Sequence, residues 1–316
     1  MAYATGEVDV AASASPTVRR RRLAAELRRL RGARTGGAVA KALGWSTAKI
    51  SRYELGQVNF PLDEVEKLLD FYLVSEPHRG QLLALATEAN QRGWWEDYGD
   101  ALSHDYMEFL GLEAEATAAS EWHLGVIPGL LQTEEYARQI HLDFQRAIPT
   151  PPGAIERRIR VRMLRQQILT DRQPPLHLDV VLDEAVILRK VGSSPLMYGQ
   201  LQHLLEVADL PNIDLRILPL ASGGAPLTDS FGVLSFGAPN AGDGARVLQD
   251  IVWVESVKSQ IYVAGETDVA DETDTYHFSL VFKGLREAAL PPAESKRFIR
   301  ETAERIWQGT PADRPQ

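Results

Sequence analysis

Hydrophobic positions follow helical spacing from the first ordered stretch of the chain. Leu23, Leu27 and Leu30 recur at i, i+4 and i+7, which places them on one stripe of a helix over about residues 18–31, with arginines around its other sides. Val39, Ala40 and Leu43 predict a second, short helix, and Gly44 closes it, since glycine enters the left-handed conformation that ends helices without steric cost. Thr35-Gly36-Gly37 opens this helix, and each glycine costs about 1 kcal/mol relative to alanine inside a helix, so a late or frayed start is expected. Ser46 then caps a third helix, its hydroxyl accepting from a backbone N–H that would otherwise be unpaired. Rotation of about 100° per residue puts Ile50, Tyr53 and Glu54 on one side of it and Ala48, Ser51 and Arg52 on the other, with Thr47 at the exposed first turn. The apolar side packs and the polar side is presented. Leu62, Val65, Leu68, Leu69 and Tyr72 form the inward stripe of a fourth helix, and Ser75-Glu76-Pro77 leads into a fifth that runs to about Gln91.

Beyond Gly93 the pattern changes. Trp94-Trp95-Glu96-Asp97-Tyr98 is an aromatic cluster, read as packing at a domain joint in preference to the wall of a ligand site. Residues 106–120, rich in Ala and Glu, read as a helix, followed by a helix capped by Thr133 and a basic amphipathic helix over 156–170. Strands are expected at 176–182, 214–218, 232–236, 250–255 and 260–264, each rich in Val, Ile, Leu or aromatic residues and bounded by Pro, Gly or Asp. A helix over 197–208 lies between two of them, and helices over 274–289 and 292–307 close the chain. The expected fold class is an all-α N-terminal domain followed by a larger mixed α/β domain with a sheet of about five strands. The domains are expected at 17–90 and 94–310, after a disordered tail over 1–16.

Charge separates these two parts. From Thr17 to Phe60 there are eleven Lys and Arg against the acids Glu26 and Glu54, a net +9, whereas the whole chain is −9 and residues 61–316 carry −16. Such asymmetry fits one surface that meets polyphosphate and a larger body that polyphosphate repels. The 44% hydrophobic content fills sizeable cores, and no apolar stretch approaches the roughly 18 residues of a membrane span. With no cysteine, disulfides, thiol catalysis and cysteine-ligated zinc are excluded. The opening residues have neither the basic start nor the apolar core of a secretion signal, so a cytoplasmic location is expected.

The residues Trp45-Ser46, Ile50-Ser51-Arg52 and Glu54-x-Gly56 resemble the helix-turn-helix of the Xre and lambda-repressor type. That resemblance implies binding to double-stranded DNA as a homodimer, and a structural pair between Arg29 on helix one and Glu54 at the end of the recognition helix. A glutamine that often opens helix two in this family is absent here, which puts its phosphate contact in doubt. With the third helix in the major groove, Arg52 is the residue best able to read a base, because its fork can bond O6 and N7 of guanine together. Thr47 and Ser51 offer hydroxyls to bases and Ala48 can meet a thymine methyl. Ser46, Lys49 and the run Arg19, Arg20, Arg21, Arg22 are expected to hold phosphates, fixing register without reading sequence.

The runs from Phe109 to Ala116, Val126 to Arg138, Val181 to Ala185 and Leu210 to Leu215 are similar to the C-terminal domain of unknown function found behind this helix-turn-helix in many actinobacterial regulators. The likeness covers most of residues 94–300. Such regulators are often encoded beside a small partner protein, so a protein effector is as reasonable as a small molecule. Within it, Pro128-Gly129-Leu130-Leu131-Gln132-Thr133 reads as a structural strand-to-helix turn ahead of a binding role.

Catalytic constellations are sparse. The seven histidines show no pair with metal-ligand spacing, and His177-Leu178-Asp179 supplies only two ligands on one strand face. Residues 232–237 miss a nucleophile elbow by one position, and Gly242-Asp243-Gly244 lacks the third glycine of a phosphate loop. Asp268, Asp271, Glu272 and Asp274 read as a solvated acidic turn before a cation site. The expectation is therefore a sequence-specific transcriptional regulator, not an enzyme, with no cofactor, whose C-terminal domain dimerises and senses a small-molecule or protein effector. The alternatives are a DNA-tethered enzyme, which buried carboxylates and histidines in a pocket would support, and an antitoxin-like interaction factor.

Overall fold

The computed structural model describes residues 15–145, 147–222, 229–237, 250–254, 260–263 and 272–308. Five helices come first: α1 (Pro16–Arg31), α2 (Gly36–Leu43), α3 (Thr47–Glu54), α4 (Leu62–Phe71) and α5 (His78–Ala89). Each polar residue just ahead of the first three is a working cap. Ser15 accepts from the Thr17 N–H at 3.2 Å, Thr35 from the Ala38 N–H at 3.2 Å and Ser46 from the Lys49 N–H at 3.2 Å. The Thr35 cap corrects the expected late start of the second helix, because it satisfies an end N–H and lets α2 begin at Gly36 itself. Leu23, Leu27, Val39, Ile50, Tyr53, Phe60, Val65, Leu68, Leu69 and Leu82 bury together into one core, so the helical stripes read from the sequence converge as expected.

The remainder is a mixed α/β domain around a six-stranded sheet in the order β3-β2-β1-β4-β5-β6. Its strands are β1 (Ala118–His123), β2 (His177–Asp183), β3 (Ile213–Leu218), β4 (Phe231–Ser235), β5 (Ile251–Val254) and β6 (Gln260–Val263). β1, β2 and β3 run parallel, and parallel neighbours need long crossovers. Helices α7 (Glu134–Phe144) and α8 (Pro152–Arg165) supply the first, and α9 (Glu184–Leu188) and α10 (Ser194–Val207) the second. β4, β5 and β6 add antiparallel to the other edge of β1.

One element differs from the sequence reading. The helix expected over 106–120 is α6 (His104–Glu115), which stops at Ala116, and the next residues form β1, the strand at the centre of the sheet. Ala118-Ala119-Ser120-Glu121 has helical composition, but pairing on both sides, with β2 and β4, outweighs local propensity. Alternation along β1 then sends Ala119, Glu121 and His123 to one face and Trp122 to the other. The Trp122 face is covered by α11 (Glu272–Ala288) through Phe282 and Leu285. The opposite face packs under α6, α10 and α12 (Pro292–Thr302), with Phe109, Leu112, Met197, Leu201 and Ile299 in the main core.

Helix α1 belongs to both parts. Leu23 and Leu27 fill the helical core, while Val18, one turn earlier, is buried in the core of the α/β domain. Its first turn lies directly on α6: a methyl at Gly111 would stand 2.2 Å from Thr17 Oγ1, so only glycine admits this approach. The Ser15 N–H donates to Glu115 and Arg21 pairs with Glu108, both across the same joint. Trp95 is buried beside it with Leu110 and Val161, in the short 3₁₀ turn Trp94–Tyr98.

Gly37 has open space where a side chain would begin. Gly37→Ala is therefore expected to raise the unfolding free energy by roughly 0.5 to 1 kcal/mol through the unfolded chain. Urea titration checks this, and a loss of stability would contradict a helix that includes residue 37.

Candidate nucleic-acid interface

The turn between α2 and α3 is set by two residues. Gly44 adopts φ +69°, and the following Trp45 N–H returns to the Ala40 carbonyl at 2.8 Å, which ends α2 and swings the chain into the Ser46 cap. Ile50 and Tyr53 anchor α3 from beneath, at 2% and 3% exposure. Trp45 stacks on Tyr53 with centroids 5.8 Å apart, and the Tyr53 hydroxyl donates to Glu64 of α4. Burial, together with Glu64, pushes the Tyr53 phenol well above its ordinary range, so it stays a donor.

What remains outward on α3 is Ser46, Thr47, Ala48, Ser51 and Arg52, all exposed. The Arg52 guanidinium has no ion-pair or hydrogen-bond partner among the described residues, and the residue's backbone carbonyl accepts from the Gln57 N–H at 3.0 Å. Lys49 is placed differently: its ammonium lies 2.6 Å from Glu64 Oε1 and 4.3 Å over the Trp45 ring. It can meet a phosphate only by leaving this internal pair.

Two expectations for the basic block need correction. Glu54 pairs with Arg31, whose Nε lies 2.6 Å from its Oε1, and not with Arg29, which reaches Glu26 at 2.7 Å on the outer side of α1. Arg29 and Arg31 are two residues apart, hence about 200° around the helix, so only one can face α3. The run from Arg19 to Arg22 is likewise no single phosphate-facing block. Arg21 is buried under α6 with Glu108, Arg19 pairs with Glu88 of α5 at 3.1 Å and Arg20 bonds the Pro16 carbonyl at 3.4 Å. Only Arg22 of the four is fully exposed. Four consecutive residues circle a helix, and two sides of α1 are already occupied. Within residues 17–60 the exposed cations without an ion pair among the described residues are Arg22, Arg28, Arg34, Lys41 and Arg52, and Arg34 bonds the Arg31 carbonyl at 3.4 Å.

In the α/β domain the residues flagged for chemistry do not assemble. Residues 231–235 are strand β4 with no elbow, and His177 stands 3.9 Å from Asp179 without further ligands. Among the described residues no group of three or more His, Asp or Glu could hold a metal ion. Residues 242–244, and the side chains of Asp268, Asp271, Glu272 and Asp274, lie outside the described residues. The Pro128–Thr133 run is a turn with Leu130 and Leu131 buried, and Gln200 ties it down by accepting from the Thr133 N–H at 2.8 Å.

A different group, missed in the sequence, is gathered in a cavity of about 180 Å³. Glu121 and His123 sit on one face of β1 with Nε2 2.9 Å from Oε2, both 2% exposed. Arg165 of α8 donates to Tyr106 at 2.9 Å and to Glu113 at 3.0 Å. Arg162 donates to Gln132 at 2.5 Å. The sequence carried one signal, the i, i+2 spacing of Glu121 and His123, which is legible only once β1 is known to be a strand.

Residues 22–82 match the family described as a helix-turn-helix domain, and residues 106–301 match the domain of unknown function (DUF5753). The chain belongs to the DUF5753 family. No curated protein and no solved structure matches it. The helix-turn-helix match points to DNA binding and regulation, in keeping with the exposed face of α3. No helix among the described residues is long and apolar enough to cross a membrane.

Burial pushes the Glu113 carboxyl up to about 7, against the pull of the Arg165 guanidinium and with the neighbouring Glu121 adding to the rise. The folded chain thus keeps this proton through a range in which the unfolded chain releases it, so folding loses stability as pH rises from about 4.5 to 7. Relative to Glu113→Gln, which cannot titrate, the natural chain is expected to lose up to roughly 3 kcal/mol across that window. Paired denaturant titrations at several pH values check this, and a pH-independent difference contradicts it.

Proposed function

We propose that the chain is a sequence-specific transcriptional regulator of the Xre type, a cytoplasmic homodimer whose C-terminal domain dimerises and responds to a small-molecule or protein effector. The single observation that carries this reading is the exposed face of α3, where Thr47, Ala48, Ser51 and an unpaired Arg52 stand clear of the rest of the fold. In the major groove Arg52 takes the guanine edge, Thr47 and Ser51 meet neighbouring bases and Ala48 meets a thymine methyl. Ser46 at the helix N-terminus, with Arg22, Arg28 and Lys41 farther out, holds phosphates, and Lys49 joins them when it exchanges Glu64 for a phosphate. Arg31 holds Glu54, so the reading helix keeps its angle while the outer side chains engage DNA. A homodimer would set two such helices about 34 Å apart, one per half-site.

The buried Glu121–His123 pair favours a second reading, a DNA-tethered enzyme, because a carboxylate beside an imidazole can move protons. Incubating the protein with a compound that binds the cavity separates the two: a regulator returns the compound unchanged and an enzyme returns it altered.

Selection of bound fragments from genomic DNA, followed by titration against the enriched site, tests the main reading. Affinity is expected to fall by about 10³ to 10⁵ between roughly 50 and 200 mM salt if six to ten phosphates are contacted. Arg52→Ala is expected to relax preference at one base pair per half-site by about 1 to 3 kcal/mol. Salt-independent binding, or an unchanged preference in the variant, would overturn it.

A further inference from the structure

Helix α11 carries a surface that its own fold does not use. Its inner side, with Phe278, Phe282 and Leu285, lies on the Trp122 face of the sheet. Rotation of about 100° per residue turns Tyr276, Leu280, Gly284 and Ala288 to the outer side, where they form one ridge at i, i+4 spacing. All four are exposed, Tyr276 at 61% and Leu280 at 46%, and Val281 at 37% extends the same apolar patch. Contiguous exposed apolar surface of this kind marks a place where another molecule sits. Gly284 supports this. Glycine is the poorest helix former after proline, and a methyl group at this position would meet nothing within 4 Å, so neither the helix nor its own packing calls for it. It makes a notch in the ridge.

The ridge is bulky at its start and small at its end, and this asymmetry selects the occupant. When two copies of the ridge lie on each other in opposite senses, with the helix axes crossing at about 50°, Leu280 settles over the partner's Gly284 and Tyr276 over the partner's Ala288. Each contact is made twice about a twofold axis. On the flanking ridge Lys283 then comes beside the partner's Glu287. Within one chain these two side chains stand 4.0 Å apart and are 73% and 69% exposed, so both can exchange partners across the axis. In the same sense the ridges would set Tyr276 on Tyr276, leave the glycines facing across a void and bring like charges together. Only the opposite sense fits shape and charge at once. Lys283 and Glu287 also balance each other on this patch, so two copies approach here without the repulsion of a body that carries −16 over residues 61–316.

We propose that α11 is the homodimerisation surface of the α/β domain, docking in the opposite sense on α11 of a second copy with Leu280 seated in the notch at the partner's Gly284. One helix face buries less than the roughly 800 Å² per partner of a standard interface. The free dimer is therefore expected to dissociate at micromolar concentrations, and two DNA half-sites hold it together in the complex. This inference rests on the homodimer of the proposed function and gives it a surface. The test uses the full chain without DNA, so its result does not depend on what α3 reads.

Sedimentation equilibrium from about 1 to 100 µM is expected to show a monomer–dimer equilibrium. Leu280→Asp, an exposed change that leaves the fold intact by circular dichroism, is expected to weaken the dimer at least about a hundredfold by bringing two unpaired charges into the contact. Gly284→Leu fills the notch and is expected to weaken it at least about tenfold, while the unfolding temperature of the monomer stays the same or rises, because leucine is the better helix former. The chain has no cysteine, so Tyr276→Cys and Ala288→Cys chains can be mixed and treated with a short bismaleimide. Cross-links are expected between unlike chains. A chain that stays monomeric at about 100 µM, or cross-links formed only between like chains, would overturn the proposal. A dimer that both Leu280→Asp and Gly284→Leu leave unchanged would also overturn it, while the homodimer reading itself would stand with its contact elsewhere.

Discussion

Helix α1 is the constraint on which the rest depends, because one rigid element is shared by two cores. At 16 residues it is about 24 Å long. Its first turn is pressed onto α6 where Gly111 leaves room for Thr17, its middle fills the helical core with Leu23 and Leu27, and its last residue, Arg31, holds Glu54 at the end of α3. The orientation of α3 relative to the α/β domain is therefore set along a single line of contacts. Thr17 and Val18 cannot slide on α6 without a clash, and Glu54 cannot leave Arg31 without stranding a partly buried carboxylate.

The same sharing explains how the basic block is divided. A +9 block suggests one continuous cationic surface, but a helix with neighbours on two sides has to neutralise the cations that face them. Arg21 and Arg19 are therefore spent on Glu108 and Glu88, and the cations left exposed are more scattered than the charge count implies. The acidic body attached behind them adds repulsion for any DNA approach except through the helical domain.

Much of the helical domain was legible because its signals are local. Ser46, Gly44 and the Ile50–Tyr53 stripe act within one turn of the chain, and the helices form where these residues place them. Partners across elements were less legible: Arg29 and Arg31 both suit Glu54 by chemistry, and only the helix phase chooses between them. In the α/β domain, strands rich in Val, Ile and Leu were recognisable, whereas β1 was not, since Ala118-Ala119-Ser120-Glu121 becomes a strand only through its neighbours on both sides. The cavity went unseen for the same reason. Its floor joins β1 to α8, and Phe109 and Trp253 of its wall are 144 positions apart in the chain, so no motif could announce it.

The central claim, that the outer face of α3 meets base edges, is open to one direct measurement. The chain contains no cysteine, so Ser51→Cys provides a single attachment point for an iron–EDTA group. Strand cleavage from position 51 is expected to be confined to the selected DNA site, while the same group attached through Ser193→Cys, at the exposed cap of α10, is expected to leave that site uncut. Bound DNA that is cut equally from both positions, or not at all from position 51, would contradict the account.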